Sequence, residues 1–404
     1  MSSSSALILN ITDLSSNGLG VGRSGDGLVV MVHNALPGET VRARLTEQHK
    51  SYAVAVCLEV ITTSPQRVEA PCPYFSLCGG CQLQHLDYEA QIRAKAAWLL
   101  KALRAFEPLP PLRIIPSQPF AYRHRLRLHR GIDGGLGFYV RSSRALLPVD
   151  NCLLAVDSAR RSWEELSVFD VPGIWELELL AGKEKEELAV KIFGKNSLPP
   201  FSLNQPWRVS RPGEDPDLEQ GIVCYQRDGL TMRAWPGVFS QVNWEVNEHL
   251  ISHLRSILSS DWDKGPVVDL FAGSGNLSLP LAHAGAEVWA VEGDRHACRI
   301  GRRLALTNRL QCRFVNQPVS RFLQKNKIKG QTVIADPPRS GMKDLTAVIL
   351  RQKPRLLVYI SCHISALARD AQTAAAAGYV LTDLLLLDMF AQTSQAECLA
   401  VFRM

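Results

Sequence analysis

The sequence predicts an α/β protein whose C-terminal part is a doubly wound, parallel-sheet domain, preceded by a small all-β barrel and a central α+β region. Three observations carry that expectation. From about Gly229 onward, short apolar runs (PVVDL, AEVWAV, QTVIAD, RLLVYIS) alternate with loop and helix-like stretches, the pattern of strands joined by crossover helices. From Leu7 to about Thr63 the chain reads as short strands broken by glycine turns, the pattern of a small barrel. Between them, Cys72, Cys78 and Cys81 crowd into one short segment. The domains expected are 1–64, 65–228 and 229–404.

Length and composition set the bounds. At about 150 residues per domain, 404 residues are enough for several domains, each with its own core. With 46% hydrophobic and 21% charged residues, the chain is neither disordered nor fibrous. No run of about 18 uncharged apolar residues occurs, so no membrane span is expected. The start, MSSSSALILN, lacks a basic segment followed by a long apolar one, which predicts no secretory signal and a cytoplasmic protein. In that compartment the ten cysteines are reduced thiols, and their clustering points to metal or catalysis rather than disulfides. A net charge of +6 permits a polyanionic partner without requiring one.

Each segment has its own signals. In the barrel, LSSNGLGVGRSGDG supplies turns, while LVVMVHN, TVRARLTEQ and SYAVAVCLEVI supply strands. An oligonucleotide-binding barrel is one candidate and a structural cap the other. TTSPQRVEAPCPYF has linker composition. Beyond the cysteines, EAQIRAKAAWLLKAL has helical spacing, and the expected helix near 88–106 is placed to pack on the catalytic domain. YRHRLRLHR alternates Arg123, Arg125 and Arg127 with leucines, a strand with one basic face. That face is read either as phosphate-binding or as a solvated edge.

The C-terminal region carries the chemistry. Asp269-Leu270-Phe271-Ala272-Gly273-Ser274-Gly275-Asn276 follows a strand and opens a helix, where glycines let the backbone approach a ligand. The next strand ends in Glu292, placed to bind ribose hydroxyls. The third glycine of the dinucleotide fingerprint is absent, which favours S-adenosylmethionine (SAM) over a nicotinamide dinucleotide. Asp336-Pro337-Pro338-Arg339-Ser340-Gly341 ends a third strand at the same edge. Cys362 ends a fourth, just before a helix whose N-terminus is expected to lower its pKa and activate it. His363 is a poor partner for a Cys–His hydrolase, because adjacent strand residues face opposite ways. Glu397, on the approach to the last strand, is a candidate base.

Taken together, these motifs resemble the RNA uracil-C5 methyltransferase family, which makes 5-methyluridine, and the resemblance covers nearly the whole chain. The N-terminal part is similar to a TRAM domain (GLGVGRSGDGLVVMVHNALPGETV), an oligonucleotide-binding type of barrel. FSQVN, DLFAGSGNLSLPLA, VEGD, ADPPRSG, YISC and DMF…E follow in the family's order. The resemblance implies a Rossmann-like SAM-dependent methyltransferase domain, Cys362 as nucleophile and Glu397 as base. It also implies that Gln241, Phe271, Asn276, Glu292, Asn316 and Asp336 line the SAM site. CPYFSLCGGCQLQH and LPVDNC resemble segments that hold a [4Fe–4S] cluster, through Cys72, Cys78, Cys81 and Cys152. By spacing alone, zinc or a free Cys-x2-Cys redox pair stays open.

The partner implied is RNA, with 23S rRNA preferred over tRNA, and the enzyme is expected to act as a monomer, with neither membrane nor DNA as partner. A DNA cytosine methyltransferase is disfavoured because its Pro-Cys motif is missing. Two departures stand out. His363-Ile364 replace the Asn-Pro usual after the nucleophile. Ala391-Gln392 and Gln395-Ala396 follow DMF where Pro and His-Val or His-Leu are usual. They motivate an alternative reading, an RNA-binding or assembly factor that has lost activity.

Overall fold

The protein is described by a computed structural model covering residues 6–131, 134–167, 172–182, 187–195, 207–218, 221–261 and 265–404. It divides into two compact units, each built from separate stretches of chain. The first comprises Met1–Trp98, Phe138–Leu147 and Phe390–Gln395; the second comprises Leu99–Gly137, Pro148–Met389 and Ala396–Met404.

The first unit is built on a closed barrel of β1 (Leu7–Leu14), β2 (Gly20–Arg23), β3 (Val29–His33), β4 (Thr40–Gln48) and β5 (Tyr52–Thr62), in the order β1-β2-β3-β5-β4. Alternate residues point inward, so Leu9, Ile11, Val30, Val32, Val41, Ala43 and Ala55 share one core. Closure leaves no open sheet edge. The segment with linker composition is in fact tied down. Glu39 is buried, and its carboxylate accepts the N–H groups of Leu36 (2.8 Å) and Ser64 (3.4 Å) and a two-pronged contact from Arg67 (2.5 and 2.8 Å). Burial raises this carboxyl, but Arg67 and the backbone donors outweigh it and hold the group below the usual range. Helix α1 (Tyr88–Leu103), followed by a single 3-10 turn at Arg104–Phe106, starts in this unit. Its Ala90 packs with Leu14, Leu36, Leu83 and Leu86.

The second unit contains two sheets and a hairpin. Strand β6 (Leu112–Ile115) is followed by β7 (Arg125–Arg130), β8 (Leu136–Tyr139), β9 (Leu146–Pro148), α2 (Asp157–Ser167), β10 (Ile174–Ala181), β11 (Leu188–Gly194) and β12 (Trp207–Ser210). A six-stranded sheet runs β12-β11-β10-β7-β8-β9, and the boundary between units passes through α1, β8 and β9. β13 (Ile222–Arg227) and β14 (Leu230–Ala234) form the hairpin.

The remaining elements are α3 (Trp244–Asp261), β15 (Val267–Leu270), α4 (Ser278–His283), β16 (Val288–Glu292), α5 (Arg295–Thr307), β17 (Cys312–Asn316) and α6 (Val319–Lys325). After them come β18 (Thr332–Ala335), α7 (Asp344–Arg351), β19 (Leu356–Ser361), α8 (Ile364–Ala376), β20 (Val380–Leu387) and β21 (Glu397–Arg403). They build an eight-stranded sheet in the order β17-β16-β15-β18-β19-β21-β20-β6. Strands β15 to β19 are mutually parallel, as the alternating pattern predicts. β21 enters antiparallel to both β19 and β20, and β6 joins the far edge from much earlier in the chain. The order reverses at β15, so β15, β16 and β18 end around the crevice where open α/β sheets bind ligands. Among the described residues, no helix is long and apolar enough to cross a membrane.

One close approach holds this edge together. A Cβ on Gly301 of α5 would lie 2.2 Å from the Phe314 ring of β17, and one on Gly275 would lie 2.8 Å from the same ring. Phe314 therefore fixes the spacing between α5 and the glycine-rich loop after β15. Gly301→Ala should lower the melting temperature by an amount equivalent to about 1–3 kcal/mol of overpacking. It should also weaken cofactor binding measured by calorimetry; an unchanged melting curve would contradict this packing.

Candidate active site

The site is assembled at the carboxyl ends of β15, β16, β18 and β19. The loop after β15 begins with Phe271, half-buried and in the left-handed region (φ +65), which is strained for a bulky side chain and marks a backbone held by its surroundings. A Cβ on Gly273 would meet nothing within 4 Å, so the loop backbone is open on that side. The Gly273 N–H donates to Glu292 Oε2 (2.9 Å) and the Asp294 N–H donates to Glu292 Oε1 (2.7 Å). Glu292, at the tip of β16, is thus fixed in orientation while its oxygens keep lone pairs for a ligand. Asn316, its register partner on β17, donates its side-chain amide to the carbonyls of Glu292 and Gly293, both at 3.1 Å. Asn316 therefore steadies the turn that presents Glu292.

Asn276 is locked to Asn247 of α3 by two reciprocal amide hydrogen bonds of 2.8 and 2.9 Å. Gln241 is buried just ahead of α3. The turn before it is fixed from β10, where Glu178 Oε1 accepts the Gly237 N–H at 2.6 Å. Glu178 also pairs with Arg125 at 2.9 Å, and Glu176 binds Arg127 (2.6 Å to Nε) and His129 (3.2 Å). Arg123 donates to the Arg125 carbonyl. Arg125 and Arg127 of that strand are therefore paired with two largely buried carboxylates one strand away, with the Arg127 side chain still 58% exposed, while Arg123, ahead of the strand, is bonded to the backbone.

Cys362 and Glu397 are brought side by side by the antiparallel pairing of β19 with β21. The ladder ends by pairing Ser361 with Cys398, so Cys362 and Glu397 are the next residues on the two strands, and Glu397 acts electrostatically on the thiol. Glu397 is 3% exposed, and its Oε1 has no hydrogen-bond partner. Burial, then the neighbouring Asp336, push its carboxyl well above the usual range. Asp336 is itself pushed up to about 7 by burial.

The thiol is not activated as its place before a helix suggests. Burial raises Cys362 to about 11, Glu397 and Asp336 add to the effect, and Arg339 opposes it. His363 is the N-cap of α8, its Nδ1 accepting the first-turn Ala366 N–H at 3.3 Å. Burial, the largest cause, and then the two carboxylates act against the ionisation that a helix N-terminus favours. The first departure from the family pattern thus has a structural job. The second also has one: Gln392 (φ +67) is buried within the first unit, its carbonyl accepting the N–H groups of Gln82 and Leu83 and its amide bound to Gln91.

Sequence reasoning missed Asp269, Asn247 and Glu178. Asp269 had a signal, a carboxylate inside the apolar run PVVDL; the other two look like ordinary solvated positions. Asp269 is 1% exposed, bonded to Ser278 Oγ at 2.5 Å, with Oδ1 unpartnered. Burial pushes it up to about 7 against the Ser278 bond, with Asp336 and Glu292 adding repulsion.

Of the four proposed cluster cysteines, Cys72, Cys78 and Cys81 lie on one turn of the first unit and Cys152 lies in the second. The Gly80 N–H points at Cys78 Sγ (3.4 Å). Arg141 donates to the Cys81 carbonyl (2.8 Å), and the charges of Cys81 and Cys78 oppose the lowering of its pKa by burial. Among the described residues, no three or more His, Cys, Asp or Glu side chains are gathered as a metal site.

Comparison with known proteins fits this geometry. Residues 7–58 match the TRAM domain, 229–359 the methyltransferase small domain and 319–403 the tRNA (uracil-5-)-methyltransferase family. A relative from Shewanella halifaxensis, described as 23S rRNA (uracil(1939)-C(5))-methyltransferase RlmD, is 32% identical over 99% of this chain and 96% of its own. The chain belongs to the RNA uracil-C5 methyltransferase family. A second RlmD, from Hahella chejuensis, is 32% identical over 98% of this methyltransferase and 97% of its own length. The crystal structure of Pyrococcus abyssi tRNA (uracil-54, C5)-methyltransferase with S-adenosyl-L-homocysteine superposes with a TM-score of 0.76. It is 25% identical and covers 98% of this methyltransferase and 100% of that chain.

The raised carboxyls make a prediction about the ligand-free enzyme. A folded-state pKa of about 7 against 3.8 for a free Asp269 means stability present below pH 3.8 that is lost as pH rises through about 7. Asp269→Asn keeps the Ser278 bond without the charge. Its melting temperature relative to wild type should therefore climb between pH 4 and 7 in fluorimetric scans, and parallel curves would refute the assignment.

Proposed function

We propose that this methyltransferase transfers the methyl group of SAM to C5 of one uridine in 23S rRNA, using Cys362 as nucleophile and Glu397 as base. The observation that carries the mechanism is the buried, half-unpartnered Glu397 carboxyl acting on Cys362 at the end of one ladder. The choice of 23S rRNA rests on the name carried by relatives that are 32% identical over nearly the full chain, against 25% for the tRNA enzyme. The matched TRAM domain supports an RNA partner.

The chemistry follows from these residue types. C5 of uracil is a weak nucleophile. The Cys362 thiolate adds to C6, and the electron pair released from the C5=C6 bond makes C5 enolate-like. C5 then takes the methyl group, which SAM supplies on a sulfonium. Glu397 removes the C5 proton; the electrons re-form C5=C6 and expel the thiolate. The base must leave its stack to reach both side chains, so a flipped or looped-out uridine is the substrate form.

Glu292 receives ribose hydroxyls, Phe271, Asn276 and Gln241 line the cofactor site, and Asn316 steadies Glu292. Asp336, Asp269 and Glu397 gather carboxyls at one edge, which would suit a cationic ligand such as the SAM sulfonium. A cation bound there would favour their ionised forms and oppose the part they play in raising Cys362.

Cys72, Cys78, Cys81 and Cys152 are proposed to hold a [4Fe–4S] cluster that shapes or positions the RNA-binding part and takes no part in methyl transfer. Four reduced thiols are the right donors for it. The Gly80 N–H directed at Cys78 Sγ and the cation beside Cys78 and Cys81 suit bound thiolates. Anaerobically purified protein should be brown, with broad absorbance near roughly 400 nm, and Cys78→Ala should bleach it. Colourless protein carrying stoichiometric zinc would overturn the cluster.

Deleting the gene should remove one 5-methyluridine from 23S rRNA and none from tRNA in nucleotide-resolution maps. Cys362→Ala should fail to restore it, whereas Glu397→Gln should trap a covalent RNA adduct visible on denaturing gels. Loss of the mark from tRNA instead would reassign the substrate. Free turnover by Glu397→Gln would remove its role as base, and an unchanged map would favour the inactive assembly factor.

A further inference from the structure

The loop that carries Asp336 and Arg339 is anchored by a group that the catalytic scheme does not use. Asp370 of α8 is 2% exposed, and both its oxygens are occupied. Oδ2 accepts the Tyr359 hydroxyl of β19 (2.7 Å) and the Met342 N–H (2.8 Å), while Oδ1 accepts the Arg369 guanidinium (2.9 Å to Nε). Arg369 in turn donates to the Ser340 carbonyl at 3.0 Å. The loop is shaped to fit this knot. Gly341 (φ +71) and Lys343 (φ +52) both take left-handed conformations on either side of the bonded Met342. A Cβ on Gly341 would sit 2.5 Å from the Arg369 guanidinium and 2.7 Å from Asp370 Oδ2.

Three elements therefore meet on one buried carboxylate. They are the strand that ends one residue before Cys362, the helix that begins two residues after Cys362, and the loop with Asp336 and Arg339. We propose that Asp370 is a positioning residue, fixing the 336–342 loop against the Cys362 strand end so that the Arg339 guanidinium stays close to the thiol.

Burial raises Cys362 most; of the charged groups acting on it, Glu397 from β21 and Asp336 from the loop raise it further, and only Arg339 favours the thiolate, alongside a backbone N–H. Ser340 and Met342, the bonded residues, lie one and three positions beyond Arg339 in a turn closed by the Gly341 N–H on the Pro338 carbonyl (2.8 Å). Releasing the knot frees Arg339 to drift from the thiol, whereas Asp336, joined directly to β18, stays. The thiol then becomes harder to ionise. The catalytic meaning of this positioning rests on Cys362 being the nucleophile.

The test reads the thiol directly. The full-length protein is alkylated with iodoacetamide between pH 7 and 10, and the rate at Cys362 is followed by peptide mass mapping, with Cys362→Ala as background. Asp370→Asn should slow alkylation at a given pH by about threefold or more, the change expected from a shift of roughly half a pH unit. Removing a negative charge without moving the loop would instead speed it, so the sign separates positioning from simple electrostatics. Tyr359→Phe, which changes no charge, should slow alkylation in the same direction by a smaller factor, and it carries the test if Asp370→Asn does not fold. Faster or unchanged alkylation in the folded variants overturns the proposal, even if their melting temperatures fall. Methylation by Cys362→Ala, measured alongside, reports separately on the nucleophile: retained activity would remove that reading and leave the positioning intact.

Discussion

Like charge confined at one edge of a sheet is the constraint around which the methyltransferase unit is arranged. Asp269, Glu292 and Asp336 stand at the ends of three neighbouring parallel strands, and Glu397 enters beside them on the antiparallel β21. Burial is the main cause that raises Asp269, Asp336 and Glu397, and the repulsion between neighbouring carboxylates adds to it at Asp269 and Glu397. Much of the surrounding structure answers this repulsion with local donors. Ser278 binds Asp269, two backbone N–H groups orient Glu292, and the Arg339 charge opposes the burial and carboxylates that raise Cys362. A site built this way is unfavourable when empty and suits a cationic ligand.

The parallel part of the sheet was legible because each strand is an apolar run with its functional residue at the carboxyl end. Asp336 and Cys362 are found one residue past such runs, and Glu292 ends its own. The approach of Glu397 was not legible in that pattern. It depends on β21 inserting antiparallel between β19 and β20, a pairing that local periodicity does not encode. Strands β17, β20 and β6 were likewise hidden: CRFVN mixes charge with apolar residues, and LRII is too short to stand out.

The arginines of β7 show the reverse case. Their alternation is plain in the sequence, but Glu176 and Glu178, which balance them, lie about fifty positions away and face them only through strand pairing. The helix after Cys362 was also visible, but local sequence shows neither the burial of the thiol nor the approach of Glu397 and Asp336, which raise it. Cys362 and His363 are adjacent in the chain, and the sequence argument against a dyad rests on strand alternation alone. What His363 does instead depends on its side chain turning back onto Ala366.

That cap has an evolutionary consequence. Asn and His both offer a side-chain acceptor one residue before a helix, and Asn is among the most favourable residues there. Their codons differ by a single base. A lineage can therefore pass from one to the other without an intermediate that leaves the start of α8 uncapped beside the reactive thiol.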